Sequence, residues 1–364
     1  MKKIILIISV MLLFFSFYIE ASASELWYGE IFDALSEDSV KLLEEFGISE
    51  RLSENFTEIS PERALKTVFS MFSEELTLPL KTAGVCISLL FIVSVMTSFL
   101  PEASSLCIMG KSIALMCMMF SVISVSGKIF SECASSLLAT KDFMLVLIPI
   151  FAGIVSFSGN PALALSFNTV AFSFGELVAV LFGNAVPALS GVMISVSCAG
   201  AISPVMRFQG IGKIVSKILK LFMAFVAGIF VAVMSVRGVI AGAADTVAIR
   251  GVRFLIGNTV PVVGSAIGEA LNSIVASFSL IKHTAGMIGI MAVIVINLPP
   301  LINVFVWKLS LYVISFCSDI MDCNEIRDFC ENMNSVLSVM IGAILFVSFV
   351  FIICIAILIT VGKG

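Results

Sequence analysis

The chain has 364 residues, 59% of them hydrophobic and only 13% charged, against about 25% charged in soluble globular domains. That composition nearly excludes a soluble enzyme. The 21 Lys plus Arg and 25 Asp plus Glu give a formal charge of −4, and with no basic tract to grip phosphates, nucleic acid is not an expected partner.

The first residues combine Lys2 and Lys3, an apolar stretch from Ile4 to Phe17, and the small triplet Ala21, Ser22, Ala23. This three-part pattern predicts a secretory signal peptide over 1–23, cleaved after Ala23; an uncleaved first membrane helix is the alternative. Either form delivers the next segment outside the cytoplasm. Residues 24–81 contain 13 of the 25 acidic residues and five basic ones, which predicts an acidic extracytoplasmic segment. Val40, Leu43, Phe46, Leu52 and Phe56 are spaced for short amphipathic helices, and Ser60, Pro61 and Glu62 read as a cap, a first-turn proline and a helix start. So short a segment makes at best a small core, and it must pack on the membrane part or on a partner.

From Thr82 onward the hydropathy predicts nine spans, at about 82–100, 111–127, 143–158, 162–182, 186–204, 218–236, 284–298, 301–317 and 336–361. The expected fold is therefore all-α: a polytopic helical membrane protein with about nine transmembrane helices, whose first partner is the lipid bilayer. A first bundle occupies 82–236, a glycine-rich amphipathic region 237–283, and a C-terminal bundle 284–364. Pro299 and Pro300 interrupt the backbone ladder and so read as a tight cytoplasmic turn between two short spans, with one long tilted helix as the alternative. Alternate crossing then places Arg207, Lys213, Lys217 and Lys220 in the cytoplasm, as the positive-inside rule requires. The same count leaves Asp319, Asp322, Glu325, Asp328 and Glu331 outside.

Ionisable groups within lipid are costly, which singles out Glu176. Ser166, Thr169, Ser173 and Glu176 recur at spacings of three, four and three, on one helix face. Such a stripe either lines a polar path that binds a cation or proton, or forms a hydrogen-bonded seam between helices around a protonated carboxyl. Lys111, near a span end, reads as an interfacial anchor. Residues 237–283 are glycine-rich yet carry Asp245, Arg250, Arg253, Glu269, Lys282 and His283. In their second half Ile267, Leu271, Ile274, Phe278 and Ile281 form an apolar stripe, complementary to Ser265, Glu269, Asn272, Ala276, Ser279 and His283. An amphipathic helix follows, lying on the membrane or re-entering it to line a cavity. Gly238 with Gly242, and Gly264 with Gly268, permit close backbone contact, and Pro261 marks a rigid turn before the helix. The candidate partner or cavity face is Arg250, Arg253, Pro261, Gly264, Glu269, Asn272, Lys282 and His283.

His283 is the single histidine among 364 residues, so a multi-histidine metal site is excluded. Most of the nine cysteines are isolated within apolar runs and behave as small hydrophobic residues. The spacing of Cys317, Cys323 and Cys330 forms no framework, and a disulfide among them stays open. No Walker loop, Gly-x-Ser-x-Gly, His-Glu-x-x-His or dinucleotide fingerprint is present, so no catalytic, cofactor-binding or metal residue is expected.

The run Thr246-Val-Ala-Ile-Arg250-Gly-Val-Arg253-Phe, then Thr259-Val-Pro261-Val-Val-Gly264, Ser279-Leu-Ile-Lys282-His283 and Gly286 to Gly289 resembles the stage III sporulation protein AE family. The order of signal peptide, acidic exported segment and many spans is similar too. The resemblance implies a non-enzymatic, permease-like component of a transenvelope channel or secretion complex in endospore-forming bacteria. It would sit in the mother-cell membrane around the forespore, with other sporulation-complex membrane proteins of mother cell and forespore as partners. It implies no catalytic residues and no cofactor. A self-sufficient ion- or proton-coupled secondary transporter using Glu176 is the alternative; it would be favoured by a paired inverted repeat, and the hydropathy shows no convincing one.

Overall fold

Hydrocarbon offers a backbone no hydrogen-bond partners, so an apolar chain in lipid satisfies its amides within helices. The computed structural model describes residues 29–48, 61–99, 105–182, 186–202, 211–259 and 264–360; the expected signal peptide at 1–23 lies outside them, as do Leu52, Phe56, Ser60 and Arg207. Nine helices are delimited among the described residues: α1 Glu37–Glu45, α2 Pro61–Glu75, α3 Thr77–Phe99, α4 Ser105–Phe157, α5 Pro161–Val180, α6 Val186–Ile202, α7 Ile211–Thr259, α8 Gly264–Ile320 and α9 Asn324–Thr360. The molecule is a polytopic helical membrane protein. Among the described residues, six helical stretches are long and apolar enough to cross a membrane, with a shorter apolar helix at Ala188–Gly200.

Local chemistry explains the helix ends. Ser36 caps α1 by accepting from the Ser39 amide at 3.3 Å, with Glu37 and Asp38 in the first turn where the helix dipole favours anions. The turn from α8 to α9 places Asp322 at φ 52°, a left-handed conformation that aspartate tolerates better than most residues.

Helices α8 and α9 form an antiparallel central pair. Lys308 meets Ser338 near one end, and near the other a Cβ on Gly286 would run into Ile359. Helix α4 packs along α8, α7 along α9, and α5 bridges α4 and α7. Gly289 lets α8 approach α4, since a Cβ there would stand 2.9 Å from Leu147. The aromatic centre of the bundle is Phe174, with Phe230, Phe351 and Phe346 at ring-centroid distances of 4.2, 5.6 and 5.9 Å.

The expectation of nine spans is corrected at two places. The pair 111–127 and 143–158 is one helix of 53 residues. The pair 284–298 and 301–317 lies within one helix of 57 residues, with Pro299 and Pro300 inside it. Between Lys128 and Asp142 the chain is charged but holds neither glycine nor proline, so nothing stops α4. At the second place the expected turn is absent, and a neighbour satisfies one of the two carbonyls that the prolines free. Pro300 has no amide for the carbonyl of Ile296, four residues earlier. The Ser136 hydroxyl on α4 donates to that oxygen at 2.9 Å. Asn297 locks the crossing by donating from Nδ2 to Thr140 Oγ1 at 2.8 Å and to the Val293 carbonyl at 2.9 Å.

Removing the crossing expected at Pro299 and Pro300 changes the sidedness of the ends. Lys213 Nζ lies 2.6 Å from Glu331 Oε2, so the start of α7 and the acidic start of α9 share one end of the bundle rather than opposite faces of the membrane. An impermeant thiol reagent is expected to label cysteines introduced at 213 and 331 from the same side; labelling from opposite sides would contradict this packing. Ser136→Ala should destabilise by about 1 kcal/mol, the cost of losing a hydrogen bond to a part-buried carbonyl, read as the loss of thermal stability in detergent. In a Pro300→Ala background, residue 300 regains an amide for Ile296, and the penalty should largely vanish.

Candidate functional site: polar groups between the long helices

The face of α5 that carries the predicted stripe points away from the core. Leu163, Phe167, Ala171, Phe174 and Val178 turn inward and are buried, while Ser166 is half-buried and Thr169, Ser173 and Glu176 are exposed. The structure brings the four residues onto one outward surface. Thr169 donates to the Leu165 carbonyl at 3.1 Å and Ser173 to that of Thr169 at 2.9 Å, so both hydroxyls are satisfied within their own helix. Glu176 has no ion-pair partner among the described residues.

The glycine-rich region is divided between two long helices: residues 237–259 end α7 and residues 264–283 begin α8. Arg250 is exposed, Lys282 is buried at 1% exposure, and His283 is half-buried. Pro261 lies outside the described residues, and for Arg253, Gly264, Glu269 and Asn272 only the helical backbone is described. Four residues before Lys282, the Phe278 ring stacks on that of Phe157 at 5.2 Å, which holds the start of α8 against the end of α4.

A buried polar contact in this region involves a residue to which the sequence reading gives no role. Helix α5 begins at Pro161 with Asn160 as its cap residue, and the Asn160 side chain makes no capping bond. Its first amides instead find Asp245 on α7. Asp245 is buried at 3% exposure, accepting from the Ala162 amide at Oδ1 and from the Leu163 amide at Oδ2, both at 2.9 Å. A carboxylate is the acceptor best suited to a helix N-terminus, where orphan amides and the dipole both attract negative charge. The visible signal is a lone acid preceded by Ala241, Gly242, Ala243 and Ala244, small residues that let a helix end approach closely.

A second set of charges follows α4. Lys128 lies 3.7 Å from Glu132, and Lys141 lies 2.7 Å from Asp142. Asn303 on α8 donates to Glu132 at 2.7 Å. Cys317, Cys323 and Cys330 are free thiols, and burial pushes the Cys323 thiol, in the turn between α8 and α9, above its usual range. Among the described residues no cluster of three histidine, cysteine, aspartate or glutamate side chains is placed to hold a metal ion.

The profile of the family "Stage III sporulation protein AE" matches residues 46–362, nearly the whole chain. The chain belongs to the stage III sporulation protein AE family. It is 26% identical over 258 residues to Stage III sporulation protein AE of Bacillus subtilis (strain 168). That similarity covers 69% of this chain and 64% of the relative, so the chain spans somewhat less than two thirds of the curated relative's length. No solved structure matches.

Asp245→Ala should cost on the order of 2–3 kcal/mol, because two charge-assisted hydrogen bonds are lost and two buried amides are orphaned. Asp245→Asn, with one acceptor oxygen, should fall between the two. Thermal unfolding of the purified chain in one detergent orders the three, and an unchanged midpoint for the alanine variant would remove the proposed capping role.

Proposed function

We propose that this chain is the non-enzymatic, multi-pass membrane component of a transenvelope channel or secretion complex that joins mother cell and forespore during endospore formation. Its place is the mother-cell membrane around the forespore, with the acidic N-terminal segment facing away from the cytoplasm. The observation that carries this reading is the family match over residues 46–362.

The physical form of the chain supports it. Helix α7 exposes Ile214, Ile218, Leu221, Phe225, Ile229, Val233, Val236 and Val239 along much of its length. At about 1.5 Å per residue, its 49 residues run about 74 Å, far more than the roughly 30 Å of a bilayer core. A face that apolar and that long needs lipid over part of it and protein over the rest, which suits a subunit of a larger assembly.

Two measurements test the reading. Crosslinking and affinity recovery from sporulating cells should bring down other sporulation membrane proteins with the full chain; recovery of the chain alone would overturn the proposal. Glu176→Gln should assemble and support sporulation nearly as wild type does. A loss of spore formation with assembly intact would instead favour a transporter in which Glu176 couples an ion or proton.

A further inference from the structure

Lys213, Lys217 and Lys220 fall at spacings of four and three, on one face of α7. On α9, Glu331, Asn334, Ser335 and Ser338 likewise share a face. Because α7 runs parallel to α9 while α8 runs antiparallel to it, these faces and Tyr312 of α8 surround a cavity of ≈ 390 Å³.

The charges within it do not balance. Lys213 is paired with Glu331 at 2.6 Å. Lys308 donates to Ser338 at 2.6 Å in the cavity wall, with its ammonium 5.8 Å from the Tyr312 ring centroid. Lys217 and Lys220 line the cavity and have no ion-pair partner among the described residues, while Lys220 and Lys308 are close enough to repel one another. Asn334 lies beside the same space at 5% exposure, with its amide atoms closed off from it. Lys213, Lys217 and Lys220 are exposed to it, and like charges gathered at one cleft repel one another. That repulsion falls if the cavity holds an anion.

We propose that this cavity binds a phosphate-bearing anion, with Lys217 and Lys220 providing the charge. A phosphate offers oxygens enough for two ammonium groups together. The neighbouring outer surface carries Ile214, Ile218, Leu221, Phe316 and Val313, all exposed and apolar, which gives acyl chains a place to lie beside a bound headgroup. The source of the phosphate is an anionic phospholipid or a free phosphate ion.

The test uses the full chain purified in detergent, titrated separately with phosphatidylglycerol, phosphatidylcholine and inorganic phosphate. Retained lipid is counted by native mass spectrometry and phosphate binding by the thermal midpoint. Phosphatidylglycerol should be retained in preference to phosphatidylcholine. Lys217→Gln with Lys220→Gln should weaken that retention by about tenfold or more, while Lys217→Arg with Lys220→Arg should keep it. Lys41→Gln with Lys66→Gln, remote from the cavity, should have no effect. If the glutamine pair fails to fold, Lys217→Gln alone, at an exposed position, should report a partial loss of the same retention. Stabilisation by inorganic phosphate that depends on Lys217 and Lys220, without preferential lipid retention, supports the site with soluble phosphate as its source. Equal retention of the two lipids with no phosphate response overturns the proposal, as does binding by the folded glutamine variant equal to wild type.

Discussion

A helix that starts inside an apolar bundle, or that passes a proline, leaves backbone groups without partners, and lipid cannot provide them. Two long-range side-chain contacts resolve that problem here. Asp245 closes the start of α5 from α7, and Ser136 closes the gap that Pro300 opens in α8 from α4. Each contact satisfies a local backbone defect and at the same time fixes how two helices cross. The tertiary arrangement is thus tied to the places where secondary structure is weakest. Hydrophobic burial alone would not set these positions, since lipid tails are as apolar as the helix faces they replace.

The all-helical membrane character was legible because composition and hydropathy report the solvent directly. The number of helices was less legible, and the reason is physical. Residues 128–142 are polar enough to resemble a loop, yet their composition is compatible with a helix, and Asn303 and Asn297 of another helix reach Glu132 and Thr140 within it. Likewise a proline pair ends a helix unless some distant hydroxyl takes the freed carbonyl, and no local pattern reveals a partner 160 residues away. The polar stripe on α5 shares one face because a 3.6-residue period fixes which residues lie on a side. Which way that side points depends on where α4, α7 and α9 lie, and they cover the phenylalanine face instead. Asp245 was visible as an unusual acid, but its role required knowing that α5 begins beside it.

The mixed character of the long helices follows from their length. Even at a tilt of about 40°, a bilayer core of about 30 Å accepts only about 39 Å of helix, whereas the 57 residues of α8 extend about 85 Å. Part of α4, α7 and α8 therefore lies outside hydrocarbon. The side chains indicate one such stretch: Lys128 and Asp142, about 21 Å apart along α4, are 75% and 67% exposed, and the acidic helix α1 lies beside Ile296 and Pro299 across a cavity of ≈ 330 Å³. Exposed charges and an amphipathic acidic helix are both unfavourable against acyl chains and readily accommodated by water or a polar partner. The proline pair thus sits where the helices meet a polar environment, and the same contacts that keep α8 continuous there hold the N-terminal segment's docking surface in place.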